Sequence, residues 1–355
     1  MEETLNNDGF DLRSLIKRMP LAPFIIGGFW IIVLILAAVL QQNWIQLISD
    51  SIQRFALWGM IVLAMVPSIQ SGTGPNFAVQ VGICSGMLAM VVAIELGFTG
   101  MSFILIGALM AIFISLILGY FYGKLMNAVK GSEMAIATYT GLAITFAFYF
   151  IWLAVPFRSP FLGWFMGEGL RNTVALEPLE SSQILDNIWR FNFLGLDIRL
   201  VPILIVLAAC FLMWLFFRSK TGISISAVGA NPTFAKAVGI NVDRSRVIAN
   251  MLSNAVAAVG VIVYAQSFGN IQLYDFPLWM AFPAVAAVLV GGASAQRSKV
   301  IHVIIGTFLF QGLLTTVPPV FSELLQGADM TDAARMVIQN GIILYALTRM
   351  RGGAK

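Results

Sequence analysis

Gln70, Asn76, Gln80, Gln311 and Asn340 lie near or within long apolar stretches of this chain. A side-chain amide donates and accepts hydrogen bonds at once. In an apolar setting it therefore suits the hydroxyls of a polyol, or equally the backbone of a neighbouring helix, and residue type alone leaves both uses open. No spacing supports covalent chemistry. The chain has no HExxH, no GxSxG and no pair of carboxylates at helical spacing inside an apolar stretch. Gly123-Lys124 follows Gly119 at the wrong distance and precedes Leu125, so it is no phosphate-binding loop. His302 stands in IHVIIG without a second histidine or a carboxylate at i+3 or i+4, so no metal site is expected. Cys84 and Cys210 sit in apolar runs and read as small buried hydrophobes, with no disulfide framework.

The elements that position these amides follow from composition. Of the 355 residues, 59% are hydrophobic and 11% charged, whereas a soluble domain carries about 25% charged residues. A helix crossing the hydrocarbon core needs about 20 apolar residues. Such stretches occur at 24–40, 55–69, 77–98, 102–122, 136–156, 199–217, 247–266, 278–292, 300–317 and 334–348. The expected fold is all-α: a polytopic membrane protein of about ten transmembrane helices with interrupted central helices. Arg13, Lys17 and Arg18 precede the first stretch, which is long and lacks a small-x-small cleavage site, so it reads as an uncleaved span.

Positive residues are retained on the cytoplasmic side. With the amino terminus inside, the segments 1–23, 70–76, 123–135, 218–246, 293–299 and 349–355 hold 15 of the 21 lysines and arginines. Both termini are therefore expected in the cytoplasm, with 1–23 and 349–355 as tails around a transmembrane domain at 24–348. The basic residues are scattered among loops, which argues against nucleic acid as a partner. Glu95 is the one clear ionisable residue inside a stretch, and its place near the outer end suits an interfacial carboxylate better than a proton carrier. Without an ion relay or an ATPase motif, movement of a solute requires energy from a partner or proceeds passively.

Two stretches are interrupted. MVPSIQSGTGPN, 65–76, and LVGGASAQ, 289–296, carry proline, glycine and amides at span ends. Non-helical backbone at membrane depth persists only where protein or a wet cavity satisfies it. At an offset of 220 residues, Ser71-Gly72 meets Gly291-Gly292, Asn76 meets Gln296 and Gly86 meets Gly306. Matching interruptions in two halves are the expected mark of a transporter's substrate route. Gly82 with Gly86, and Gly119 with Gly123, are small-xxx-small pairs that allow close helix approach.

Two loops stand out. The outer one, about 157–198, has a nearly balanced charge from Arg158, Arg171 and Arg190 with Glu168, Glu177, Glu180, Asp186 and Asp197. It either docks an external partner or is a solvated connection with a short interfacial helix around Trp164 and Trp189. The inner one, 218–246, contains Asn231-Pro232, a cap and first-turn pair that starts a helix over 232–238, with Gly239 as its stop. A short capped helix between two spans can act as a lever on them.

Gly229, Asn231, Ala235, Gly239 and Ile240, with Lys236 where a second alanine is common, match a pattern of the permeases of bacterial ABC importers for ribose, galactose and other simple sugars. Those are related to the branched-chain amino-acid permeases. The chain resembles this family over about 130 residues, through AVAAVLVGGAS at 284–294 and the final spans. It departs from the family where SGTGPNFAVQVG replaces GGIDLSVG and where Ser294 to Lys299 replaces the end of GGTSLAGG. The resemblance implies a permease subunit in the bacterial cytoplasmic (inner) membrane, with no cofactor of its own. Its partners would be a cytoplasmic ATPase that uses ATP, a second permease subunit, an extracytoplasmic solute-binding protein and membrane lipid. ATPase coupling would fall on Gly229, Asn231, Pro232, Ala235, Lys236, Gly239 and Ile240. The substrate would be a simple sugar, or else a nucleoside, an autoinducer-like molecule or an amino acid. A stand-alone facilitator and a membrane enzyme are the rival classes.

Overall fold

The computed structural model describes residues 21–163, 169–193, 195–324 and 331–352. Arg13, Lys17 and Arg18, with Trp164, Glu168 and the last three residues of the tail, lie outside the described residues. The chain is mostly helical: α1 Leu21–Val39, α2 Trp44–Leu63, α3 Met65–Gln70, α4 Gln80–Glu95, α5 Gly100–Ala128 and α6 Glu133–Ala154 come first. The outer loop then holds β1 Thr173–Ala175, α7 Ile184–Ile188, β2 Arg190–Phe193 and β3 Leu196–Arg199. The second half runs α8 Leu200–Phe216, α9 Lys220–Ala230, α10 Pro232–Ala237, α11 Val242–Phe268, β4 Asn270–Gln272, α12 Phe276–Val290, α13 Val300–Leu324 and α14 Thr331–Gly352.

Every apolar stretch marked in the sequence is helical, but the stretches are unequal. Among the described residues, six helices are long and apolar enough to cross a membrane, or up to seven if the bent pair α8 and α9 is one span. In this count α2 and α3 form one 27-residue span. Helices α4 and α12 are shorter, and α14 falls outside the set because polar residues such as Asp332, Arg335, Gln339 and Asn340 punctuate it. The chain is thus a polytopic membrane protein.

The bundle is built around α11. Its most apolar window is 67% buried and that of the α2–α3 span 72%, against 28% for α5 and 22% for α6, which turn Phe113, Phe121 and Phe150 outward. Both small-residue pairs clasp it. A Cβ on Gly82 would stand 2.4 Å from the Asn254 carbonyl oxygen, and one on Gly86 2.4 Å from that of Ala258. Next to it, a Cβ on Gly119 would meet Met251 Cα at 3.1 Å and one on Gly123 Val247 Cα at 2.9 Å. Helices α4 and α5 therefore lie against α11 backbone to backbone, which only small residues permit.

The outer loop is tied down as a small cap. β1 pairs antiparallel with β4 (Thr173 opposite Gln272), and β2 with β3 as a hairpin (Arg190 opposite Arg199). Glu95 accepts the backbone amides of Arg158 at 2.8 Å and Ser159 at 3.0 Å, so this carboxylate anchors the loop to the end of α4. Buried Asp186 accepts from Arg199 at 3.2 Å and from Gln266 of α11 at 2.9 Å. A short helix, α7, ends just before the exposed Trp189.

Candidate functional site

Helix α3 stops because Gly72 takes φ +77° and Gly74 φ +81°, left-handed backbone that favours glycine, and Pro75 cannot resume the ladder. The non-helical stretch 71–79 is almost wholly buried, yet its polar groups are satisfied locally. Ser68 Oγ donates to the Gly74 carbonyl at 2.6 Å, and Ser71 Oγ and Thr73 Oγ1 donate to the Ser68 carbonyl at 2.8 and 3.0 Å. Asn76 Oδ1 accepts the Ala78 amide at 3.0 Å and so starts the turn into α4.

The second break repeats the first at the offset of 220. Helix α12 ends at Val290 as α3 ends at Gln70, and α13 begins at Val300 as α4 begins at Gln80. Ser71 N bonds to the Pro67 carbonyl and Gly291 N to that of Ala287, both at 3.1 Å. Gly72 and Gly292 then both adopt positive φ. The repeat is one of backbone and not of setting, because Ser294, Gln296, Arg297 and Lys299 are exposed. The two breaks meet: Gln70 Nε2 donates to the Ser298 carbonyl, and a Cβ on Gly74 would lie 3.9 Å from the Ala295 carbonyl oxygen.

The inner loop reaches the same place. Helix α9 turns off α8 by 78°, and near its end Gly229 is pressed against the first break. A Cβ there would stand 2.1 Å from the Gln70 carbonyl oxygen and 3.0 Å from Gly72 N. Asn231 then caps α10, its Oδ1 accepting the Phe234 amide at 3.0 Å, and Gly239 at φ +84° ends it. Pro232, Lys236 and Gly239 are exposed, Ile240 is half-buried, and Ala235 is fully buried, facing the bundle. The large exposed apolar side chains of α10 and its end are Phe234 and Val238, four residues apart. Sequence reasoning passed over both, although the i, i+4 spacing of two apolar residues in a polar segment was visible.

Of the five amides, Asn76 is bound most fully. It is fully buried and its Nδ2 donates to Ser253 Oγ at 2.8 Å and to Asn254 Oδ1 at 3.4 Å on α11. Gln80 is buried beside Gly141 with its Oε1 unpaired, and Gln311 is fully buried with neither amide atom bonded to protein. Asn340 faces outward and joins none of them. A stripe on α11 that the sequence reading missed faces the first break: Arg246, Asn250, Ser253 and Asn254, at i, i+4, i+7 and i+8. Ser253 Oγ donates to the Ala64 carbonyl at 2.6 Å, where α2 gives way to α3, and Asn250 Oδ1 is buried without a protein partner. A polar face on a helix otherwise walled by apolar packing was legible as RVIANMLSNA. A buried amide left unpaired costs about 1–3 kcal/mol, and Asn250 and Gln311 carry that cost here.

Among the described residues no cluster of histidine, cysteine and carboxylate could hold a metal ion. The family described as branched-chain amino acid transport system / permease component matches residues 47–347. The galactofuranose transporter permease of Escherichia coli K12 is 25% identical over 204 residues, which is 55% of this chain and 60% of that protein. The xylose/arabinose import permease of Sulfolobus acidocaldarius is 28% identical over 167 residues, 46% of this chain and 42% of its own. The chain thus spans less than two thirds of the length of either relative. The autoinducer 2 import system permease of Shigella flexneri is 25% identical over 286 residues, 81% of this chain and 75% of that one. No solved structure matches the chain.

Proposed function

Since the chain belongs to the permease-component family of branched-chain amino acid transport systems, we propose that it forms the translocation path of an ATP-driven importer for a simple sugar. Galactofuranose, xylose and arabinose name the cargo of two relatives, and a polyol suits a lining of buried amides and hydroxyls. A relative that covers 81% of this chain carries autoinducer 2 in its name, which favours a small signal molecule as the second reading. The chain is a translocation component and not an enzyme. Its partners are a cytoplasmic ATPase, a second permease subunit and an extracytoplasmic solute-binding protein, in the cell membrane. It crosses that membrane about ten times with both termini in the cytoplasm. Helices α4 and α12 are then short spans, and α8 with α9 a span that bends into the inner interface.

The observation that carries this reading is the seat of Gly229 on the first break. A push on α10 from the cytoplasm passes through the hairpin of α9 and α10 into non-helical backbone beside Asn76 and the polar face of α11. The test is reconstitution in liposomes with and without the ATPase and binding protein, measuring uptake of labelled galactofuranose, xylose, arabinose and autoinducer 2. ATP-dependent uptake of one of them by the full set alone is the expected result. Rapid flux through the isolated chain would make it a facilitator instead.

A further inference from the structure

Arg246 is buried, the one lysine or arginine so placed among the described side chains. Its Nη1 donates to Glu133 Oε1 at 3.2 Å and its Nη2 to the Gly72 carbonyl at 3.3 Å. Glu133 opens α6 and is itself held by the Gly131 amide, which donates to Oε2 at 2.8 Å. One guanidinium near the start of α11 therefore joins that helix and the first turn of α6 to the carbonyl at the point where the first break turns left-handed. A charge removed from water is tolerated only while its partners stay in place, so these three elements are fixed together or released together.

The hairpin of α9 and α10 grips the same backbone elsewhere, through Gly229 against Gln70 and Gly72. Only residues 238–241 connect α10 to α11, where Asn241 caps the first turn by accepting the Arg244 amide at 2.9 Å. Displacement of α10 thus acts on the break by two routes, through Gly229 and through Arg246. We propose that Arg246 and Glu133 form a latch that holds the inner end of the first break shut, and that displacement of α10 opens it. Arg246 and Glu133 are positioning residues: they hold Gly72, and Gly72 holds the passage. The inference rests on the reading that α10 receives a push from a partner, but its test is read without nucleotide.

Ser298 provides the probe. It is fully buried, its carbonyl accepts from Gln70, and its own hydroxyl has no protein partner, so Ser298→Cys disturbs little. In the assembled complex, labelling of this thiol by a water-soluble maleimide reports whether the first break has left the second. With the latch cut by Glu133→Gln or Arg246→Gln, the rate rises at least about tenfold, because an open form populated at a few per cent or less becomes common. Glu133→Asp keeps the charge and restores slow labelling. Native Cys84 and Cys210, both buried, stay unreactive throughout, which a general loss of packing would not allow. Unchanged Ser298→Cys labelling in both cut variants, or labelling of Cys84 that rises in step, overturns the latch. A wild-type complex indifferent to ATP would instead count against the importer reading.

Discussion

The two helix breaks share their first turn, left-handed at Gly72 and Gly292, and differ beyond it and in what surrounds them. The first, 71–79, is enclosed by α9, α11 and the start of α6, and its serine and threonine hydroxyls close its own hydrogen bonds. The second, 291–299, exposes Ser294, Gln296, Arg297 and Lys299, and closes on itself through the Ser294 amide, which donates to the Arg297 carbonyl at 2.9 Å. Similar left-handed turns at Gly72 and Gly292 thus stand in two different settings. The first is packed against α9 and the polar face of α11, so on the proposed reading it is the break that moves. On the same reading the second is the abutment to which Gln70 donates.

The largest effect expected of this asymmetry is at the lever's exposed end. Phe234→Asp disturbs the bundle little, because most of the ring is exposed. Loss of an apolar anchor at an interface should lower ATP-driven uptake about 30-fold or more, with thermal unfolding unchanged. Uptake near wild type would show that the partner does not bear on α10. Next comes Gly229→Ala, whose Cβ has only 2.1 Å to the Gln70 carbonyl oxygen. Overpacking of about 1–3 kcal/mol should displace the first break and reduce uptake about tenfold while the complex still assembles, which co-purification with the ATPase would check.

The matched pair of amides sharpens the contrast. Asn76→Leu removes bonds to Ser253, Asn254 and the Ala78 amide inside the bundle, and should cost about 2 kcal/mol in thermal or denaturant unfolding. Gln296→Leu, its counterpart in the second break, is exposed and should stay within about 0.5 kcal/mol. Equal costs would remove the distinction between the breaks. The smallest effect lies far from both, in the outer hairpin. There the Arg190 guanidinium, bonded at 2.7 and 2.6 Å, holds the Asp197 carboxyl below its ordinary 3.8. A carboxylate depressed in the folded state contributes stability above its ordinary value and loses it as pH falls through the folded one. Hydrogen-exchange protection of 190–199 should therefore hold at neutral pH and weaken only below 3.8.

Much of this was legible in the sequence, for physical reasons that differ by element. The apolar stretches became helices because membrane-depth backbone leaves little else. Helix α10 was legible from local capping alone, since Asn231, Pro232 and Gly239 act within a few residues. The clasp of Gly82, Gly86, Gly119 and Gly123 was legible as close approach, but not its target, α11, because spacing on one helix does not name the helix it meets. The side of α10 that faces inward was likewise hidden: Ala235 is buried and Phe234 exposed only because of what packs beneath. The pairing of β1 with β4 joins residues nearly a hundred positions apart through three-residue strands with no alternating pattern. Gln80 and Gln311 have the same chemistry as Asn76, yet only Asn76 found partners, since partnering depends on the face of α11 it meets.

The asymmetry itself is open to one direct measurement: labelling rates of Thr73→Cys in the first break and Ser294→Cys in the second, in the complete complex, with and without ATP. A moving first break against a fixed second one predicts that ATP changes the rate at Thr73→Cys by about tenfold or more and leaves that at Ser294→Cys unaltered. Rates that change together, or a change at Ser294→Cys alone, would contradict it.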